Sequence, residues 1–305
     1  MKITNKQILC IGEVLWDRLP SGAKPGGAPM NVALHLNAIG QDASIVSRIG
    51  HDQPGQELKT FLENSGLSTE FIQLDEKLPT SEVLVHLDEN NNATYEICEP
   101  VAWDNLQLTE SLAEKAKKSG VLVYGSLASR HQQTRQTILK LLDGDALKLI
   151  DVNLRKPYDR RELVEPLLEK ADIIKLNDDE LLVFAAWHGK QNLDEKELTQ
   201  WLAGQYRASL VCVTKGENGA LLFCEGRFHD HPGFKINAID TVGAGDAFLA
   251  GLIAALFDQK NYDEALAFAC ATGAFVASKA GATPEYKMDE INAILYGNER
   301  EIETT

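Results

Sequence analysis

DTVGAGDAFLAGLIAALFDQK, residues 240–260, is the stretch on which the reading of this chain turns. From Ala247 onward, Phe248, Leu249, Leu252, Ile253, Leu256 and Phe257 recur at helical spacing, which predicts a helix. Gly243, Ala244 and Gly245 then stand at its mouth. Small residues there leave backbone N–H groups open to a ligand, and the helix dipole favours negative charge. Asp246 follows immediately. A carboxylate beside a collector of anions suits the handling of a proton or a metal, yet Asp also caps helices, and spacing alone leaves both readings open.

Upstream, short apolar runs alternate with helical patterns: QILCIG (7–12), ASIVSRIG (43–50), VLVYGS (121–126), ALKLIDVN (146–153), DIIKLN (172–177) and LVCVT (210–214). Such alternation predicts βα units around a largely parallel sheet. NVALHLNAIG, residues 31–40, places Val32, Leu36 and Ile39 on one helical face, with Gly40 as a C-cap. Residues 80–98, TSEVLVHLDENNNATYEIC, break the rhythm and read as two strands around the turn Asn90, Asn91, Asn92. A hairpin inserted in a βα series is either a lid or an ordinary edge hairpin.

Composition narrows the function classes. With 305 residues, 44% apolar and 25% charged, the chain suits a large folded α/β domain rather than a disordered or fibrous one. The opening MKITNKQILCIGE lacks the apolar core of a signal peptide, and no run is long enough to span a membrane. Cys10, Cys98, Cys212, Cys224 and Cys270 are scattered and odd in number, as expected of free thiols in a reducing cytoplasm. A net charge of −15 argues against nonspecific binding to nucleic acid or anionic membranes. It leaves room for a nucleotide, which backbone N–H groups, a metal ion and a few local cations can hold.

DTVGAGDAF resembles the C-terminal signature of the ribokinase-like (PfkB) carbohydrate kinases, and GGAPMNVALHLNAIG, residues 26–40, resembles their N-terminal glycine-glycine signature. The resemblance implies one ribokinase-like domain over 1–305, a three-layer α/β/α fold with a mostly parallel central sheet. A small β-sheet lid would come from about 13–25 and 80–104. It also implies an ATP-dependent sugar kinase using Mg²⁺, in which Asp246 is the base and Gly243, Ala244 and Gly245 form the anion hole. GEVLWD (12–17) looks like the sugar-binding strand end, so Asp17 joins Gly26, Gly27 and Asn31 as substrate-binding residues.

DVNLR (151–155) looks like the DxNxR segment of fructokinase-like and ketodeoxygluconate kinase-like members. Its Arg155 would contact phosphate or an anionic substrate group, or else form a structural ion pair. NDDE (177–180) matches the family's Asn-x-x-Glu motif. Asn177 and Glu180 are therefore expected near magnesium and phosphate, through water more than directly, although the same residues suit a solvated helix start. TKGENGA (214–220) resembles the adenine side, placing Thr214, Lys215, Gly216 and Gly219 at the nucleotide. Asp240, the carbonyl of Val242 and the loop Ala280, Gly281, Ala282 look like the monovalent-cation site. Val242 stands where ribokinase often carries a hydroxyl residue, which leaves potassium dependence open.

The GGAP form of the glycine pair, VAWDNL (101–106), YGSLASR (124–130) and DVNLR together point to a fructokinase. The alternatives are ketodeoxygluconate kinase, ribokinase and, from another class, a non-catalytic sugar- or nucleotide-binding regulator. An intact GAG with Asp246 speaks against the regulator. No Gly-x-Gly-x-x-Gly follows the first strand, which speaks against a dinucleotide-dependent oxidoreductase. The expected partners are a sugar and ATP, with homodimerisation through the lid as an option.

Overall fold

The computed structural model describes residues 5–19, 22–87, 93–285 and 287–297. The chain runs through β1 (Gln7–Ile11), β2 (Leu15–Leu19), β3 (Gly22–Gly26), α1 (Ala28–Ala38), β4 (Asp42–Gly50), α2 (Gln53–Asn64) and β5 (Ile72–Asp75). The hairpin β6 (Ser81–Leu87) and β7 (Ala93–Ile97) follows, then α3 (Glu110–Lys118), β8 (Val121–Gly125), α4 (Gln132–Leu141), β9 (Leu147–Asp151), α5 (Arg161–Leu168) and β10 (Ile173–Asn177). The last third holds α6 (Asp178–Trp187), α7 (Glu195–Tyr206), β11 (Leu210–Thr214), β12 (Ala220–Cys224), β13 (Arg227–His231), α8 (Ala244–Phe257), α9 (Tyr262–Ala277) and α10 (Met288–Gly297).

Among the described residues the main sheet has nine strands in the order β13-β12-β11-β10-β9-β8-β1-β4-β5. Pairing is parallel from β5 to β11, while β12 and β13 extend the edge antiparallel. Successive residues of a strand face opposite sides, so β1 sends Ile8 and Cys10 into one core and Leu9 and Ile11 into the other. The first core also takes Leu36 of α1, Leu58 of α2, Leu252 of α8, Phe268 of α9 and Ile291 of α10. The second takes Leu112, Ile138, Leu167, Phe184 and Leu202 from α3 to α7. This is the expected three-layer ribokinase-like fold.

A second sheet of four strands, β3-β2-β6-β7, stands apart from the first. It joins the two expected lid segments, with one parallel pairing (β2 with β6) between two antiparallel ones. Arg18 of β2 and Glu82 of β6 form an ion pair across that parallel seam. The hairpin is present as expected, although its turn Asn90–Asn92 lies outside the described residues.

Two helix starts differ from the sequence reading. Helix α8 begins at Ala244, three residues early, because Gly243 takes a left-handed φ of 79° as the N-cap and the chain turns helical at once. Asp246 is thus inside the first turn, and the cap reading is corrected. Helix α1 likewise starts at Ala28 after Gly27, so Asn31 lies within its first turn and does not cap it. The strands β5, β12 and β13 had no counterpart among the apolar runs picked out from the sequence.

The segments VAWDNL and YGSLASR meet in the second core. Arg130 donates from Nε and Nη2 to the two carboxylate oxygens of Asp104, each at 2.8 Å, and its guanidinium lies 4.0 Å over the Trp103 ring. Both charged side chains are sealed from solvent, at 0% and 2% exposure. Removing one partner strands the other without water. Asp104→Ala is therefore expected to cost about 3–5 kcal/mol of stability in chemical denaturation. A loss below about 1 kcal/mol, the range of exposed pairs, would show that Arg130 finds water or another acceptor.

Candidate active site

Helix α8 brings its first turn to the C-terminal edge of the parallel strands, where open α/β sheets bind ligands. Gly243, Ala244 and Gly245 open that turn, and the backbone leaves no room for a larger residue at Gly243. A Cβ there would lie 2.4 Å from the Ala282 carbonyl oxygen. Asp246 is half-buried beside these amides, and its Oδ2 accepts a 2.8 Å hydrogen bond from Asn31 Nδ2. Burial pushes its pKa up to about 7, with Asp151 and Glu13 adding to the rise and Asn31 and Lys175 opposing it. A carboxylate poised near neutrality can accept a proton at working pH.

The expected sugar-side residues converge on the same helix pair. Gly27, with φ 119°, would drive a Cβ to 2.4 Å from the Glu13 carbonyl, and a Cβ on Gly26 would meet Asp17 Oδ2 at 2.4 Å. Backbone approach and a positive φ require glycine at 27, whereas at Gly26 the clash is with the end of the Asp17 side chain, which would have to move. Asp17 sits opposite Lys24 in the β2–β3 register. Burial raises the Asp17 pKa and the Arg155 charge lowers it, so these two face one another electrostatically. Arg155 itself is exposed, donates to the Leu154 carbonyl and forms no ion pair within 4 Å among the described residues, contrary to the ion-pair reading.

Asn177 and Glu180 form a reciprocal cap on α6. Asn177 Oδ1 accepts from the Glu180 N–H at 2.8 Å, and Glu180 Oε2 accepts from the Asn177 N–H at 2.9 Å. Glu180 Oε1 accepts from the Leu154 N–H, tying this cap to the DVNLR strand end. Glu180 is buried, not solvated as a bare helix start would be. Among the described residues no cluster of three His, Cys, Asp or Glu is arranged to hold a metal.

Thr214 ends β11, and Lys215 Nζ reaches Glu195 and Asp230 at 3.4 and 3.3 Å. Gly216 and Gly219 both have positive φ; a Cβ on Gly219 would collide with the His231 carbonyl at 1.9 Å. Asp240 Oδ1 accepts from the Val242 N–H and its Oδ2 from the Gly281 N–H, each at 3.0 Å. Asp240, Val242 and Gly281 of the expected cation site are therefore neighbours, although the carboxylate is engaged by N–H groups.

Three positions were missed as site residues. His35, one turn beyond Asn31 on α1, donates from Nε2 to the Ala282 carbonyl at 3.0 Å; burial pulls its pKa down to about 4, so it is neutral. Lys175, in the middle of β10, and Asp151, the last residue of β9, form a buried pair, with the ammonium at 3.0 Å from each carboxylate oxygen. Burial pulls the Lys175 ammonium towards deprotonation, but Asp151 and Asp246 outweigh it and hold it charged. A charged residue inside each of the apolar runs ALKLIDVN and DIIKLN was the available signal.

The pattern of the pfkB family carbohydrate kinases matches residues 22–288. The chain belongs to that family. Over 310 residues, covering 91% of this kinase and 92% of the relative, it is 30% identical to fructokinase-2 of Solanum lycopersicum. The structure of a sugar kinase from Pyrococcus horikoshii in complex with ATP is 28% identical, with a TM-score of 0.79 and coverage of 94% and 99%. A double mutant of Vibrio cholerae fructokinase, solved in a fructose, ADP and potassium ion bound form, has a TM-score of 0.82 at 24% identity, covering 97% and 100%. Among the described residues of this kinase no helix is long and apolar enough to cross a membrane.

The raised pKa of Asp246 has a stability consequence of defined sign. Unfolded, the carboxyl titrates near 3.8; folded, near 7. The penalty for an ionised carboxylate in the folded state is therefore absent below about pH 4 and complete above about pH 7. Asp246→Asn removes it, so the variant's melting temperature minus the parent's should climb between those limits. A flat difference across the window would return Asp246 to an ordinary carboxylate.

Proposed function

We propose that this kinase is a fructokinase, converting D-fructose and ATP to D-fructose 6-phosphate and ADP. One observation carries the phosphoryl-transfer site: Asp246, held by Asn31, lies in the first turn of α8 beside the amides of Gly243, Ala244 and Gly245, of which that of Ala244 donates to the Thr241 carbonyl at 3.2 Å. In this reading Asp246 takes the proton of the acceptor hydroxyl as its oxygen bonds to the γ-phosphorus. The bond to the bridging oxygen breaks, its electrons leave with ADP, and the amides take up charge on the phosphoryl oxygens. Asp17, Gly26, Gly27 and Asn31 would hold the sugar, and Arg155 would turn towards substrate or phosphate. Thr214, Lys215, Gly216 and Gly219 would border the nucleotide.

Mg²⁺, when bound, supplies neutralising charge along the phosphates. Asn177 and Glu180 fit it through water rather than directly, since Asn177 Oδ1 and both Glu180 oxygens already accept backbone N–H groups. For a monovalent cation such as potassium, Asp240 would order the loop, and the carbonyls near Val242 and Ala280 would serve as ligands. Fructose is favoured over ketodeoxygluconate and ribose by the GGAP, VAWDNL, YGSLASR and DVNLR segments and by fructokinase-named relatives.

An ADP-release screen against fructose, ribose, ketodeoxygluconate, glucose and adenosine should give fructose the highest kcat/KM. A tenfold preference for ketodeoxygluconate, about 1.4 kcal/mol of transition-state discrimination, would replace the fructokinase reading and make Arg155 the specificity residue. With the best sugar, Asp246→Asn should remain folded while turnover drops about 10²–10⁴-fold. Near-normal turnover would remove Asp246 as the base.

The small sheet is read as a lid over the sugar, because closure excludes water as a competing acceptor. Backbone hydrogen exchange in β6 and β7 should slow when fructose and nucleotide are added. Unchanged exchange at saturation would make the hairpin a structural element or a surface for pairing two copies.

A further inference from the structure

Lys175 and Asp151 occupy positions where the fold elsewhere places apolar side chains. Residues two apart on a strand share a face, and Ile173 and Leu149, two before each, lie in the core beneath α8. The next position on each column is charged, and the two strands set Lys175 directly beside Asp151 in register. Both residues are buried, at 7% and 5% exposure. Taking an ion pair out of water is costly, and two well-packed apolar residues would hold β9 to β10 at least as well. Cohesion of the sheet does not require this pair.

The pair lies beneath the first turn of α8. A Cβ added to Gly245 would be 3.3 Å from Lys175 Nζ, so the ammonium rests against the backbone of the anion hole. Two acceptors for that nitrogen are found among the described residues, both on Asp151. An ammonium has three donors. The other candidate cations are less well placed: Lys215 is neutralised by Glu195 and Asp230, and Arg155 is exposed.

We propose that Lys175 is a catalytic residue, its ammonium donating the remaining N–H to a non-bridging oxygen of the transferred phosphoryl group while Asp151 holds it beneath Gly245. The proposal rests on the phosphoryl-transfer reading of this site. No bond is made or broken at Lys175, and its fixed charge offsets the negative charge spread over the equatorial oxygens.

The test uses the pair Lys175→Met with Asp151→Leu, which replaces both charges by apolar groups of similar size and so avoids stranding one ion. This double variant should melt close to the parent. Calorimetry without sugar should show affinity for a non-hydrolysable ATP analogue falling by about tenfold while ADP affinity changes little, the loss of one charge-assisted contact. Turnover should fall about 10²–10³-fold, as on removing one donor to developing charge. Asp151→Asn, which keeps an acceptor for the ammonium, should lose no more than about tenfold.

Parent-like turnover in the folded double variant would make the pair structural and overturn the proposal. An equal loss of analogue and ADP affinity would overturn it too. A loss in Asp151→Asn as large as in the double variant would move the role to Asp151. If the parent phosphorylates none of the sugars while the double variant still loses analogue affinity selectively over ADP affinity, the fructokinase reading fails and this one stands.

Discussion

The hydrogen bond from Asn31 to Asp246 joins α1 to α8 across 215 positions of sequence, and the rest of the site is arranged around it. Helix α1 begins beside Gly27 and the strand end carrying Glu13; helix α8 begins at Gly243. One turn further along α1, His35 grips the Ala282 carbonyl, and Ala282 packs against Gly243. Residues four apart share a helix face. The same face of α1 thus fixes the carboxylate and the loop that walls its anion hole. A rotation of α1 would disturb both together.

Charge at this end of the sheet is concentrated and mostly acidic. Glu13, Asp151 and Asp246 lie close enough that Asp151 and Glu13 each raise the Asp246 pKa, while Lys175 and Asn31 restrain it. Glu13 is itself buried, with its pKa raised by burial and eased by the charges of Arg155 and Arg130. The effect is to hold a carboxylate near neutrality beside a helix terminus that attracts anions. Each force alone would move Asp246 out of that range: full burial without donors would keep it protonated, and a solvated position would leave it ionised and weakly basic.

The layers of the fold were legible because apolar runs and helical spacing are local signals. QILCIG, VLVYGS and LVCVT became β1, β8 and β11 with little adjustment. The helix starts were harder, since Gly245 is a weak helix former by propensity and the left-handed turn at Gly243 that starts the helix at Ala244 is not written in the apolar spacing. Asn31 and Asp246 were picked out by motif, but their contact belongs to the third dimension. Lys175 and His35 were not picked out as site residues. A lysine inside the apolar run DIIKLN is unusual, but the sequence does not say what its charge faces, and a histidine within a helix carries no local mark at all. Their roles arise from what α8 and the Ala280–Ala282 loop bring alongside.

The distance along the chain between α1 and α8 also governs the order in which the protein can be assembled. Met30, Val32, Ala33 and Leu36 of α1 are buried in the core that α8 and α9 complete. A ribosome has released most of the sheet before Leu249, Leu252 and Ile253 exist to cover them. During that interval the nascent chain presents one finished core and one open apolar face, the kind of species that aggregates or engages chaperones. The far end of the chain therefore sets the moment at which the whole α/β/α sandwich becomes sealed.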